Sequence, residues 1–388
     1  APGASPSLFT PAFIALFGTE LAYFTAAGLL IPLTPLFAAG PLGADEGGVG
    51  ITVGAFSVTA LILRPFAGRQ ADRRGRRPQL IWGALLCAAA IAAHAFTTDL
   101  AMLVFLRLVL GVAEAFFFVA GFAMVADLAP SRRAGEALSF NSLALYLGIA
   151  FGPLLGEVLL DTGGFTLGWI GGSALALAAG LLAVAIPERW TPVPDDQVSP
   201  PLIHRAAIGP SVGLFTGVAG MAGFLAFVAL YARDLGMDGS RLVLLTFGLI
   251  VVGCRVVFAK LPDRVPPYRL AAFALALIAI GLVGASVVQT VQGLIAGAAI
   301  MAVGVAFTTP AFFTAIVKRV PAHERGAALG TTSIFLDLAF GGGPMLLGFV
   351  AGAAGIPVAF TAAAAIAAAG ALGTGFAAVG RRGVAAAT

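Results

Sequence analysis

Twelve uninterrupted apolar runs, at about 9–38, 48–67, 79–97, 100–128, 135–160, 164–186, 207–232, 241–259, 269–288, 291–317, 326–351 and 355–379, constrain this chain more than any other feature. Each is near or above the ~20 residues that a helix needs to cross ~30 Å of hydrocarbon. Lipid offers the backbone no hydrogen-bond partners, so a spanning segment must satisfy itself as a helix or within a closed barrel. Barrel strands alternate apolar and polar residues over ~10 positions. These runs are continuous and longer, which predicts an all-α integral membrane protein with twelve transmembrane helices. Composition agrees, because 60% of the 388 residues are hydrophobic and only 10% are charged, where a soluble chain carries roughly a quarter. The first run has no basic flank or small-residue cleavage site and is read as a retained helix.

Counting Lys and Arg gap by gap sets the orientation. The alternate gaps at 69–77, 132–133, 189–205, 260–269 and 318–325, with Arg381 and Arg382, hold seventeen of the 22 basic residues, whereas the intervening gaps hold only Arg233 and Arg241. Basic loops stay in the cytoplasm, so both termini are expected inside. The basic residues are scattered over short gaps and form no single patch, which argues against nucleic acid as a partner. Cys87 and Cys254, the two cysteines, lie within apolar runs and exclude a disulfide framework or a cysteine-rich metal site.

The gap around Pro192, Pro194, Asp195, Asp196, Pro200 and Pro201 divides the spans six and six. It predicts an N-terminal bundle over 1–186, a cytoplasmic linker over 187–206 and a C-terminal bundle over 207–388. An offset of 191 residues lays one half on the other: Arg64 on Arg255, Asp72 on Asp263, Pro130 on Pro321, Gly135 on Gly326, Gly152 on Gly343 and Pro153 on Pro344. Identities in order, at one offset and at matching places in the span pattern, indicate an internal parallel duplication.

Between the second and third runs stands Gly68-Arg-Gln-Ala-Asp72-Arg73-Arg-Gly75-Arg76-Arg77. It resembles the loop signature of the major facilitator superfamily, G-x-x-x-D-R-x-G-R-[RK], and Asp263-Arg264 is its degenerate counterpart. Arg107-x-x-x-Gly111 is similar to the family's buried-arginine motif, and Gly148-x-x-x-Gly152-Pro153-x-x-Gly156 to a motif associated with its proton-driven exporters, with Glu157 replacing the usual last glycine. The resemblance implies two pseudo-symmetric six-helix bundles with spans 1, 4, 7 and 10 around a central cavity. It also implies that Asp72 meets the start of span 11 as a cytoplasmic gate favouring the outward-facing state, with Asp263 in a weaker mirror role. The basic residues of the loop would in addition touch anionic lipid headgroups. Glycines at four-residue spacing also permit ordinary close helix packing.

Ionisable residues inside the spans carry the functional expectation, because a charge in hydrocarbon is costly and by default faces the bundle interior. At 1.5 Å per residue, Glu20 lies ~16 Å into span 1 and Glu114 ~21 Å from the outer end of span 4. Arg107, two turns before Glu114, shares its face. Glu20, Glu114 and Arg107 are expected to form one cavity cluster that couples transport to protons, with Asp337 at similar depth in span 11 and Tyr23, Phe24 and Phe118 near the cavity. Arg64 and Arg255 are assigned to snorkelling, or to pairing with Asp127 or a helix end, and His94 to packing.

Substrate class is bounded by what is scarce. A single asparagine, Asn141, leaves few amide partners for a sugar. An aromatic pocket with a few acids suits an amphipathic, neutral or cationic compound. No metal-protease, nucleophile-elbow or Ser-Lys pattern lies at membrane depth, so an intramembrane hydrolase is disfavoured. The sequence therefore predicts a monomeric, cofactor-free exporter of the cell membrane that exchanges protons for a small organic molecule. A proton-coupled importer of a metabolite is the alternative.

Overall fold

A computed structural model describes residues 8–129, 134–188, 203–321 and 324–385. Linker positions 189–202, including Asp195 and Asp196, Pro130 of the repeat comparison, and the side chain of Asp263 lie outside the described residues. The helices are α1 (Pro11–Ala39), α2 (Glu46–Arg74), α3 (Arg76–Ala93), α4 (Leu100–Leu128), α5 (Ala134–Val184), α6 (Arg205–Asp234), α7 (Arg241–Val257), a short α8 (Leu261–Arg264), α9 (Pro267–Val287), α10 (Val291–Val317), α11 (Arg325–Ala354) and α12 (Ile356–Ala385). Among the described residues no strand occurs.

Among the described residues, ten helices are long and apolar enough to cross a membrane. One of them, α5, has 51 residues and would measure about 76 Å if straight. It is two spans, because Gly163 (φ −150°, ψ 20°) and Gly164 (φ 67°, ψ −169°) break the helical path. Gly164 takes a left-handed φ that other residues rarely adopt. Counting the arms of α5 separately and adding the 17-residue α7 yields the twelve spans expected. Side-chain caps hold several starts: Asp45 accepts from the Gly48 N–H at 2.7 Å, Asp99 from Met102 at 2.9 Å and Thr290 from Gly293 at 3.1 Å.

The chain forms two compact units, Ala1–Leu33 with Val58–Gln197, and Thr34–Ser57 with Val198–Thr388. Thr34–Ser57 groups with the second unit although it lies early in the chain. Backbone approach explains this. Gly50 and Gly54 of α2 face the carbonyls of Pro344 and Gly341 on α11, and a Cβ on Gly348 would lie 2.6 Å from the Glu46 carbonyl oxygen. Only glycine permits such proximity.

Within the first unit α3 packs on α4 and α5, and in the second α6 packs on α11 and α12 while α9 packs on α10 and α12. The glycines of the exporter-like motif are packing surfaces against α1. A Cβ on Gly148 would lie 2.5 Å from the Phe24 carbonyl carbon, on Gly152 2.6 Å from the Thr25 oxygen, and on Gly156 2.8 Å from the Leu29 oxygen. The repeat reproduces the contact: Gly152 meets the Cα of Gly28, and Gly343, its counterpart, meets Ala219, the counterpart of Gly28.

Neighbouring glycines of α11 test this packing. A Cβ on Gly343 would lie 2.5 Å from the Ala219 carbonyl oxygen, whereas nothing lies within 4 Å of one on Gly342. Gly343→Ala should therefore lose about 1–3 kcal/mol of stability through overpacking, and Gly342→Ala should be near neutral. Thermal unfolding of both variants in detergent reads the difference, and equal midpoints would contradict it.

Candidate functional site

Side chains from α1, α2, α3 and α4 converge in the first unit. Arg107 on α4 is buried, at 7% exposure, and Glu114 follows two turns later on the same face. Arg64 reaches Glu114 from α2, with Nη2 3.6 Å from Oε1 and side chains 13% and 23% exposed. That distance exceeds the ~2.7–2.9 Å of a charge-assisted hydrogen bond, so the pair is held by charge attraction. The Arg64 guanidinium lies 4.4 Å above the Phe118 ring, within cation–π range. Glu114 also acts electrostatically on Arg107, Cys87 and Tyr23.

An aromatic wall adjoins these charges. Tyr23 stacks on Phe117 with centroids 3.7 Å apart and planes 6° apart, and its hydroxyl shares a hydrogen bond with the Cys87 thiol. Phe24 stands edge-on to Phe117 and Phe118 at 6.3 and 6.5 Å. The result is one carboxylate paired with the Arg64 guanidinium and within the electrostatic reach of Arg107, beside stacked rings. Such a carboxylate can hold a proton.

Glu20 is placed elsewhere. Its Oε2 accepts a 2.6 Å hydrogen bond from Nδ2 of Asn141 on α5, and its Oε1 lies 2.5 Å from where a Cβ on Gly121 would stand. Gly121 is seven residues beyond Glu114, about 10 Å along α4. The structure thus brings Arg107, Glu114, Tyr23, Phe24 and Phe118 together, and sets Glu20 two turns away in its own buried pair. Asp337 is buried on α11 of the second unit at 4% exposure.

The expectation for Arg64 is corrected by the same geometry. Asp127 is taken by Arg76, which also lies 3.9 Å from Asp72, because antiparallel α3 and α4 set the first turn of one beside the last turn of the other. Gly75 turns the chain between α2 and α3 with φ 89°, and the Arg77 N–H donates to Glu188 at 2.9 Å. Gly68 faces open space. Arg73 closes α2 in its last turn. His94 packs against Trp169 with ring centroids 5.0 Å apart, its Nδ1 2.7 Å from the Ala90 carbonyl.

Residues 16–291 match the model of the Major Facilitator Superfamily. The chain belongs to the major facilitator superfamily. It is a multi-pass membrane transporter. An uncharacterized MFS-type transporter of Salmonella typhimurium is 30% identical over 341 residues, covering 84% of this chain and 87% of that protein. Another from Burkholderia pseudomallei is 30% identical over 363 residues, covering 91% and 88%. Among solved folds, a bacterial homolog of the human lysosomal transporter Spinster, inward-facing and occupied, superposes with TM-score 0.81 at 12% identity, covering 97% of this chain and 98% of that one. The human organic anion transporter TETRAN has TM-score 0.73 at 18% identity, covering 94% and 100%.

Three partnerships in this major facilitator protein escape sequence reasoning. Arg64 sits near the end of its apolar run, where a long cationic side chain reads as a snorkelling one. Asn141 is the single asparagine of the chain, a signal that only the fold converts into a partner for Glu20. Cys87 reads as core filling until Tyr23 is placed beside it.

A double-mutant cycle checks the Arg64–Glu114 pair. Arg64→Met leaves Glu114 with less compensation, and Glu114→Gln does the same to Arg64. The double variant should recover part of the combined loss, with a coupling of about 0.5–3 kcal/mol. Strict additivity of the unfolding midpoints at neutral pH would show that the two charges do not interact.

Proposed function

We propose that this transporter is a proton-coupled exporter of a small amphipathic organic compound, working by alternating access in the plasma membrane with both termini in the cytoplasm. The observation that carries the reading is Glu114, paired with Arg64 and acting electrostatically on Arg107 and on Tyr23 of the Tyr23–Phe117 stack. Nearby cations favour the ionised carboxylate and apolar surroundings favour the neutral one. A group under both influences exchanges its proton when substrate or helix movement changes the balance. Arg107 cannot relieve its burial by deprotonation, so it supplies a permanent charge to that balance. Substrate entering from the cytoplasm releases a proton, and reprotonation from the outside expels the substrate.

Glu20 and Glu114 between them carry the coupling in this scheme, and Asp337 serves as the comparison. Linkage makes substrate affinity fall as pH drops through the coupling group's pKa. Glu20→Gln or Glu114→Gln at the coupling position should stop uphill ethidium export from reconstituted vesicles, allow downhill exchange and flatten the pH dependence of binding. If both variants and their double keep wild-type uphill export while Asp337→Asn loses it, Asp337 is the carrier. Accumulation driven in the opposite sense in everted vesicles would favour the importer reading.

Asp72, with Arg73, Arg76 and Arg77, forms the cytoplasmic gate, and Asp263 has the lesser role in the second half. Asp72→Asn should populate inward-open molecules with little loss of folded protein. Spin-label distances across the cytoplasmic face measure this, and unchanged distances with normal transport would reduce the loop to a topology signal.

A further inference from the structure

Glu20 and Asn141 form a buried pair with no cation in it among the described residues. Glu20 is 3% and Asn141 2% exposed, and Nδ2 donates to Oε2 at 2.6 Å. Asn141 Oδ1 is buried with no hydrogen-bond partner among the described residues. The absence of a side chain on Gly121 leaves room for Oε1.

The chemistry of the two groups matches in both directions. An ionised carboxylate only accepts hydrogen bonds, whereas a carboxylic acid also donates one. A carboxamide carries donor and acceptor on opposite sides of one bond, and rotation about that bond has two broad wells. With Nδ2 toward Glu20, the amide serves the ionised form. Turned over, Oδ1 accepts from the hydroxyl of the protonated form. An arginine there would serve only the ion.

The second unit holds the same place with neutral groups. Under the 191-residue offset Glu20 falls on Ser211 and Asn141 on Thr332, and Ser211 Oγ donates to Thr332 Oγ1 at 3.1 Å in a buried contact. A polar bridge at this position is therefore part of the architecture of each half, and the first half alone makes it titratable. Among the described residues, the other titratable or charged side chains on these helices are Arg107, Glu114 and Asp127 on α4, Arg76, Arg77 and Cys87 on α3, Tyr23 on α1, and Tyr146, Glu157 and Asp161 on α5; Glu114 and Asp127 lie about 10 and 9 Å from the level of Gly121. Asp127 is engaged by Arg76, and Tyr23 and Cys87 bond to each other.

We propose that Asn141 is the positioning residue that keeps Glu20 hydrogen-bonded in both protonation states, through Nδ2 to the carboxylate and through Oδ1 to the carboxylic acid. The role of that proton in transport rests on the coupling reading above. Each state keeps a partner for the carboxyl, so Glu20 can gain or lose its proton without forfeiting its own buried hydrogen bond, a loss that would cost about 1–3 kcal/mol.

The test uses purified full-length protein and dicyclohexylcarbodiimide, which modifies protonated carboxyl groups, with the α1 peptide read by mass spectrometry from about pH 5 to pH 10, a range spanning ordinary and strongly raised carboxyl pKa values. Wild-type labelling of Glu20 should fall as pH rises. Asn141→Leu removes the donor to the ion and should move the midpoint up by about one pH unit, a tenfold change in proton affinity. Asn141→Ser, too short to reach, should act in the same direction and serves if the leucine variant does not fold. The infrared carbonyl band of protonated Glu20, identified by its loss in Glu20→Gln, should also shift in both variants, because the acid loses its acceptor. Flat wild-type labelling, an unmoved midpoint in a folded variant, or an unmoved carbonyl band would overturn the proposal. A shifted midpoint with uphill export retained in Glu20→Gln would support the pairing and remove Glu20 from the coupling.

Discussion

A charge inside hydrocarbon has almost no solvent to fall back on, and the arrangement of the first unit follows from that cost. Arg64 pairs with Glu114 and spreads its charge over the face of Phe118, and Glu114 acts electrostatically on the buried Arg107. Arg76 draws in Asp127 at the end of α4. These pairings dictate which faces of α2, α3 and α4 turn toward one another, since each removes the freedom of a helix to rotate its polar residue toward lipid. In water the apolar stripe would set helix orientation. In lipid the stripe has no such preference, and polar contacts take over that role.

Close approach is the complementary requirement. Lipid tails are as apolar as leucine, so helices associate through tight packing and not through expulsion of water. The glycines that meet carbonyls in both units provide it, and they do so at equivalent places: Gly152 against Gly28, Gly343 against Ala219. Duplication copied a backbone contact while the surrounding side chains diverged. The α2–α11 contacts through Gly50, Gly54 and Gly348 extend the same device to the stretch Thr34–Ser57, which groups with the second unit for that reason.

The spans, their pairing into two repeats and the loop signature were legible in the sequence because each leaves a linear trace: a length, an offset, a spacing. The break inside α5 was legible too, as the gap between the runs at 135–160 and 164–186, which Gly163 and Gly164 make in the structure. Side-chain partnerships were not. Arg64 and Glu114 are fifty residues apart and on different helices, so nothing linear links them, and depth along each helix was a poor guide to which acids meet. Glu20 and Glu114 are both near mid-span, yet the tilt and register of α1 on α4 set Glu20 level with Gly121 and not with Glu114. Gly121 itself, unremarkable in sequence, decides where the Glu20 carboxyl fits.

The two buried acids are supported in physically different ways, and the difference separates what each can do. Glu114 faces fixed positive charge, so its protonation depends on how far the arginines stand from it, and any movement of α2 relative to α4 changes that distance. Glu20 faces a neutral amide, which can bond to either state and whose orientation can follow the proton. A group of the first kind converts helix movement into proton affinity. A group of the second kind tolerates either state in place. The second half, with Ser211 and Thr332 at the positions of Glu20 and Asn141 and Ala298 and Val305 at those of Arg107 and Glu114, retains the packing of the repeat without either property. Proton chemistry in the proposed cycle is thus a feature of one half, grafted onto an architecture that both halves share.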